Sequence, residues 1–270
     1  GPDGTYVLNG LGSGPYTVTA SKTGGANGIS AFDASRISQY VAGMFALNTN
    51  QVLAADVSGN LSVSSFDAGQ IGIYVAGSSP AGLTGTWKFL PASAQLPNLN
   101  GSATQNFSAL LMGEVSGNWS NTPPRPGEID EIEKSVSVQA PNLVTPAGDT
   151  VTVPIVVEGV FNKGIISYEF DLRYDPSVIQ PQTNPVDLAG TVSRGLSLAA
   201  NAEEPGLLRV AVYGPMSIDD DGILMNLRFT TVGAPGSVSP LTFERMMFNE
   251  GTPGTMATPG QVELSAAAPN

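Results

Sequence analysis

AADVSGNLSVSSFDAGQIGIYVAG, residues Ala54–Gly77, sets oxygen-bearing side chains at a regular spacing ahead of an amphipathic run. Asp56, Ser58, Asn60, Ser62, Ser64 and Asp67 take positions 1, 3, 5, 7, 9 and 12 of a twelve-residue loop. A hard divalent cation needs many oxygens, and a short loop can aim alternate residues inward, so the spacing is that of a calcium loop. Asp56, Ser58 and Asn60 supply side-chain oxygens on this reading, Ser62 its carbonyl, Asp67 a carboxylate, and Ser64 acts through water. The alternative is a polar turn capping a helix, with Ser64 as N-cap. Leu61 stands at position 6, where glycine normally makes a left-handed turn, at a cost on the order of 1–2 kcal/mol. With two carboxylates and that strain, the expected dissociation constant is roughly 10⁻⁴ to 10⁻³ M.

The stretch is one of a pair. SAFDASRISQYVAG (Ser30–Gly43) aligns with SSFDAGQIGIYVAG (Ser64–Gly77) at an offset of 34 residues. Apolar residues at helical spacing (Phe32, Ile37, Tyr40, Val41; Phe66, Ile71, Tyr74, Val75) and a closing glycine predict two short helices, each entered through an acidic residue. A solenoid of this period would need at least three copies. Phe32 and Phe66 are expected in the core.

The first copy lacks half its loop: counting back from Asp33, position 1 is Lys22 and position 5 is Ala26. Far downstream, GEVSGNW offers Glu114, Ser116 and Asn118 at the spacing of Asp56, Ser58 and Asn60. A split site follows, with Glu114, Ser116 and Asn118 joining the Gly28 carbonyl and Asp33 around a second Ca2+. Such an ion would tie the end of the module to its start and contribute to its folding. A polar turn at 114–118 beside a helix-capping Asp33 accounts for the same residues.

Outward from the repeat, residues 1–22 read as two short strands around a glycine turn, the tail of a small β-sandwich repeat. The 23–121 stretch is a calcium-loop module with a β extension, in which TWKFLP and FSALLM are strands. Pro123, Pro124 and Pro126 make 122–133 a semi-rigid, acidic linker. From 134 to 270 the pattern is all β: SVSVQAP, DTVTVPIVVEG, GIISYEFDLRYD, LLRVAVYG, ILMNLRFTTVG, LTFERMMF and QVELS are separated by Gly, Pro, Asn and Asp. Seven or more strands in that length predict a two-sheet sandwich. The fold class is mainly β with a small α part.

A net charge of −12 with 11 Lys and Arg argues against nucleic acid and anionic membranes and suits cations. No Cys and no His removes thiol chemistry, the usual zinc sites and His-based acid–base catalysis. No apolar run approaches the roughly 18 residues that span a bilayer. Sugar-cleaving sites usually carry aromatic platforms, and Trp87 and Trp119 are the only tryptophans.

Two resemblances sharpen these expectations. DVSGNLSVSSFD followed by a short helix, in two copies over Thr23–Gly77, resembles a dockerin, the duplicated calcium-loop module of cellulosome-type assemblies. PAGDTVTVPIVVEGV, GIISYEFDLRYDPSVI, PGLLRVAVYG, DGILMNLRFTTVGAPG and MMFNEG before GQVELS resemble, in order and spacing, a cohesin, the jelly-roll β-sandwich receptor of dockerins. The resemblance implies a secreted or surface-displayed prokaryotic protein with no catalytic residues. Its partners would be cohesin- or dockerin-bearing proteins, other copies of itself in a head-to-tail fibre, or, as an alternative, glycan.

Overall fold

The chain's computed structural model describes residues 4–120 and 135–266. The linker expected at 122–133 lies outside the described residues. Three helices and fifteen strands are present among them. α1 (Ala31–Val41) and α3 (Ser65–Val75) are the two copies of the repeat, and each starts at a full capping box. Ser30 and Ser64 accept from the backbone two residues on, while Asp33 and Asp67 reach back to the cap's own N–H. Each helix ends at a glycine with positive φ, Gly43 (73°) and Gly77 (70°).

α2 (Thr49–Ala55), capped by Asn48, was not expected from sequence. Seven residues are too short to show a helical period. β1 (Gly14–Val18) is the one strand in residues 4–22, where two were expected. It pairs antiparallel with β3 (Ala94–Leu99), and β2 (Trp87–Leu90) pairs with β4 (Ser108–Leu111). The N-terminal strand is thus tied to the far end of the helical module. The two strands expected at TWKFLP and FSALLM are β2 and β4.

The C-terminal part is a two-sheet sandwich. One sheet has the order β10 (Ser197–Asn201), β11 (Leu207–Ile218), β8 (Ile165–Arg173), β13 (Val238–Phe248), β15 (Gly260–Ser265), β6 (Asn142–Pro146). The other has β14 (Thr255–Thr258), β5 (Val136–Gln139), β7 (Thr150–Glu158), β12 (Gly222–Thr231), β9 (Ile179–Asp187). β7 shows why a sheet forms: Val151, Val153, Ile155 and Val157 are buried, whereas Thr150, Thr152 and Glu158 face out. Residues alternate between faces along a strand, so one face is core and the other wet. Between the sheets lie Tyr168, Phe170, Phe229 and Phe248, all fully buried. The Tyr168 hydroxyl donates to Ser193 Oγ at 2.9 Å, which spares the core an orphaned donor.

β8 breaks the alternation: all six residues from Ile165 to Phe170 are buried. Tyr168, Phe170 and Leu172 point into the core, so Ser167 and Glu169 are buried on the opposite face. Something covers that face. Phe229→Ala, in the core proper, is expected to destabilise the protein by about 3–5 kcal/mol. Val144→Ala, on an exposed site of β6, is expected to change stability by less than about 0.5 kcal/mol. Denaturant unfolding of both variants checks this.

Candidate functional site: two closed loops and a helix pair on a sheet

In the 56–67 loop the two carboxylates organise the backbone. Asp56 Oδ1 accepts from Asn60 N at 3.0 Å and Ser58 Oγ at 3.2 Å, and its Oδ2 accepts from Leu61 N at 2.9 Å. Asp67 divides its oxygens: Oδ2 caps α3 through Ser64, and Oδ1 accepts from Ser58 N at 3.0 Å. Asn60 Oδ1 accepts from Ser62 N at 2.9 Å. Asp67 is fully buried and Asp56 nearly so. Leu61 has φ of 68°, so a branched side chain occupies the left-handed turn that position 6 demands.

The first copy is built the same way from distant pieces. Asp33 Oδ2 caps α1 through Ser30 N, and its Oδ1 accepts from Val115 N at 2.8 Å and Ser116 N at 3.0 Å. Glu114 Oε1 accepts from Ser116 Oγ at 3.0 Å, Gly117 N and Asn118 N at 3.2 Å, as Asp56 does in the other loop. An added Cβ on Gly28 would collide with Asn118 Oδ1. Asn27 brackets Ser120 with two hydrogen bonds. The structure therefore brings Gly28, Asp33, Glu114, Ser116 and Asn118 together, and separately Asp56, Ser58, Asn60, Ser62 and Asp67. Lys22, at the place of a first ligand, instead lays its ammonium 4.3 Å from the Trp87 ring and 4.4 Å from the Trp119 ring. The indole N–H groups donate to the Gly24 and Gly25 carbonyls, so this clamp pins the module's first loop to its end.

Charge is unevenly neutralised. Burial pushes the Asp33 carboxyl up to about 8, against the opposing bonds from Val115 and Ser30, and Glu250 and Glu114 push the same way. Among the described residues no three Asp or Glu side chains gather into a metal cluster. An ion at either loop would be held by two carboxylates with serine, asparagine and carbonyl oxygens. That donor set is all oxygen and suits a hard cation held weakly.

The covered face of β8 is covered by this module. α1 lies over β8 and β11, and α3 over β10 and β11. Ala31, Ala34, Ile37, Ala68 and Ile71 form one buried apolar cluster with Ala211 and Tyr213 of β11. Ala31 N, an orphan donor at the helix start, is satisfied by Glu169 Oε2 at 3.1 Å. Glu169 is 2 % exposed and pairs with Arg245. Burial raises its pKa, and the Arg245 guanidinium opposes that. Ser35 Oγ donates to Ile166 O at 2.9 Å and accepts from Gly214 N at 3.1 Å. Those two backbone groups flank the point where the β8–β11 register shifts. Further along, Gln39 Nε2 donates to Pro215 O and Asn201 Nδ2 to Gly77 O. Ser30 Oγ donates to Glu250 Oε1 at 3.3 Å.

Sequence reasoning missed this junction, including Ser35, Glu169, Tyr213, Arg245 and Glu250. One signal was present. IISYEF and LLRVAVYG are near-continuous apolar runs, the mark of a strand covered on both sides. Phe66 corrects another expectation: it is 60 % exposed, not core. Phe32 is half-buried under the Arg36 guanidinium, 4.5 Å from its ring centre.

By fold, then, the described C-terminal residues are a two-sheet β-sandwich that presents one sheet face to helices. Residues 136–258 match the family model of the cohesin domain. No curated protein matches the chain. Similar solved structures include the sixth cohesin of scaffoldin B from Acetivibrio cellulolyticus, in complex with a mutant Cel5 dockerin (23% identity, 48% of this chain, 99% of that one, TM-score 0.43). The seventh type I cohesin of ScaB from Pseudobacteroides cellulosolvens is similar too (23% identity, 50% and 95% covered, TM-score 0.43). So is a non-cellulosomal cohesin from Archaeoglobus fulgidus (19% identity, 48% and 91% covered, TM-score 0.41).

Leu61→Gly is expected to stabilise the protein by about 1 kcal/mol, because glycine meets no Cβ penalty at this positive φ. The gain should appear in urea unfolding with and without calcium. No change, or a loss, would mean that the loop is not held in this conformation in solution.

Proposed function

We propose that this chain is a non-catalytic, extracellular adhesion protein in which the α1–α3 pair is a dockerin-like ligand and the sandwich is its cohesin-like receptor. The observation that carries the reading is the seating of α1 and α3 on β8, β10 and β11, with backbone groups on both sides satisfied across the junction. Two features support non-catalytic work: the cohesin match and the use of every buried carboxylate at the junction in capping or loop closure. In one chain the contact closes on itself. Made between copies, it is heterologous and builds a head-to-tail fibre. A surface location fits the loops, since the weak affinity expected of them suits a medium rich in calcium.

On this proposal Asp56, Ser58, Asn60, Ser62 and Asp67 would hold one Ca2+, and Gly28, Asp33, Glu114, Ser116 and Asn118 a second. The ion would supply positive charge to carboxylates that now rely on backbone N–H groups. It would thereby hold the start of α1 and α3 in the shape the sheet accepts. Glycan binding is not favoured, because Trp87 and Trp119 are engaged by Lys22 and two glycine carbonyls.

With a dissociation constant near 1 mM, 10 mM calcium is expected to stabilise the module by about 1.4 kcal/mol per site. Calorimetric titration should count two ions per chain, falling to one in Asp56→Ala and to one in Glu114→Ala. Unchanged stoichiometry in either variant contradicts the corresponding site. Docking is tested separately with Gly72→Leu, whose side chain cannot fit under Tyr213. Small-angle scattering is expected to show a larger radius of gyration, or concentration-dependent assembly, with helix content kept. A variant as compact and monomeric as the parent contradicts the docking.

A further inference from the structure

Glu250, in the turn after β13, reaches from the sandwich into the first loop. Its Oε1 lies 3.3 Å from Ser30 Oγ, and the Ser116 side chain is its other hydrogen-bonding partner. Both hydroxyls are shared. Ser30 Oγ is also 3.4 Å from Asp33 Oδ2, and Ser116 Oγ is 3.0 Å from Glu114 Oε1. A serine hydroxyl has one proton to donate. Ser30 therefore serves Asp33 or Glu250, and Ser116 serves Glu114 or Glu250. Carboxylates from α1, from the loop after β4 and from the sandwich compete for the protons of two hydroxyls.

Other donors do not settle the contest. Backbone N–H groups bind Asp33 and Glu114, and none bonds Glu250 among the described residues. Burial raises the Glu250 pKa, the Ser116 and Ser30 bonds oppose that, Glu114 adds to it and Arg36 subtracts. The Arg36 guanidinium is already held 4.5 Å from both the Phe32 and Phe45 rings, with Nη1 bonded to Gln39 Oε1. The second loop has no such contest. Ser64, the counterpart of Ser30, donates to Asp67 Oδ2 at 3.1 Å and bonds no sandwich carboxylate among the described residues.

We propose that Glu250 couples the first loop to the sandwich, so that a calcium ion in that loop and the docking of the module strengthen each other. Glu250 acts beside the ion and is not one of its ligands. An ion there would draw Asp33 and Glu114 toward itself and leave both hydroxyl protons to Glu250. Without it, docking sets a third carboxylate against two others. A unit charge beside a divalent ion changes its affinity on the order of tenfold even under water-like screening. Coupling is reciprocal: the factor by which docking tightens calcium is the factor by which calcium tightens docking. The proposal rests on the calcium reading above. It adds that the two loops are unequal, since only the first senses the sandwich.

The test is a calcium titration of the full chain followed by amide chemical shifts. The Ser116 N–H reports the first loop and the Leu61 N–H the second, because each bonds a loop carboxylate. Glu250→Gln is expected to raise the Ser116 midpoint about tenfold and to leave the Leu61 midpoint within about twofold. Glu250→Asp keeps the charge and is expected to stay within about threefold of the parent at both. Glu263→Gln, an equal change of net charge at an exposed site of β15, is expected to match the parent. Exchange of the Gly214 amide, bonded to Ser35 across the junction, closes the cycle. Calcium is expected to slow it more in the parent than in Glu250→Gln, by the same factor as the midpoint shift. A Ser116 midpoint in Glu250→Gln within about twofold of the parent overturns the proposal. So do equal shifts at both loops, or a loss in Glu250→Asp as large as in Glu250→Gln. A Ser116 amide that ignores calcium in the parent overturns the first calcium site and the coupling with it. That failure shows before any substitution is made, so the two are distinguishable.

Discussion

Ile165–Phe170 of β8 is buried on both sides, and most of the structure follows from that constraint. A strand in a sandwich normally gives one face to the core and one to water. Here the second face holds Ser167 and Glu169, fully or almost fully buried, next to Ala211 and Tyr213 of β11. Small and polar residues such as these cannot build a core alone. They make a shallow seat with backbone groups at its floor. α1 and α3 fill it with alanine and isoleucine, and Ser35 and the Ala31 N–H answer the polar groups.

The seat can be filled only if α1 and α3 start where they do. Each helix start is set by one buried aspartate with two tasks. One oxygen of Asp33 or Asp67 caps the helix, and the other closes a loop. The second copy closes over 9 residues, from Ser58 to Asp67. The first closes over 82, from Asp33 to Val115, and so ties the end of the module to its beginning. Under the proposal calcium strengthens the same two closures. A cation at these loops would reach the sandwich through the helix ends, since Ala31 is two residues from Asp33 and donates to Glu169.

The sandwich, both repeat helices and the juxtaposition of Asp33 with Glu114–Asn118 were legible in the sequence. Each leaves a local pattern: alternation with period 2, apolar residues at helical spacing, and oxygens at alternate positions. α2 was not legible, because its seven residues complete barely two turns. The single N-terminal strand was misread because its partner, β3, lies some eighty residues away and leaves no mark on it. The junction escaped because it depends on single atoms brought together by the tertiary fold. Ser35 in isolation is an unremarkable helix serine, and Gly72 an unfavourable helix residue. Only the Tyr213 ring explains the second, and only the break in the β8–β11 ladder explains the first. Phe66 was misplaced because it keeps its place in the repeat and yet stands exposed, while Ala68, two residues on, is buried in the junction cluster.

The central claim is that the helix pair rests on the sandwich in solution. Two amides report on it directly. Ala31 N–H has Glu169 as its partner and Gly214 N–H has Ser35, both across the junction. Amide hydrogen exchange of the full chain is predicted to show both protected at least about 100-fold over the unfolded-chain rate. Exchange of both at unprotected rates, while Phe170 and Val210 in the same sheet stay protected, would contradict the account.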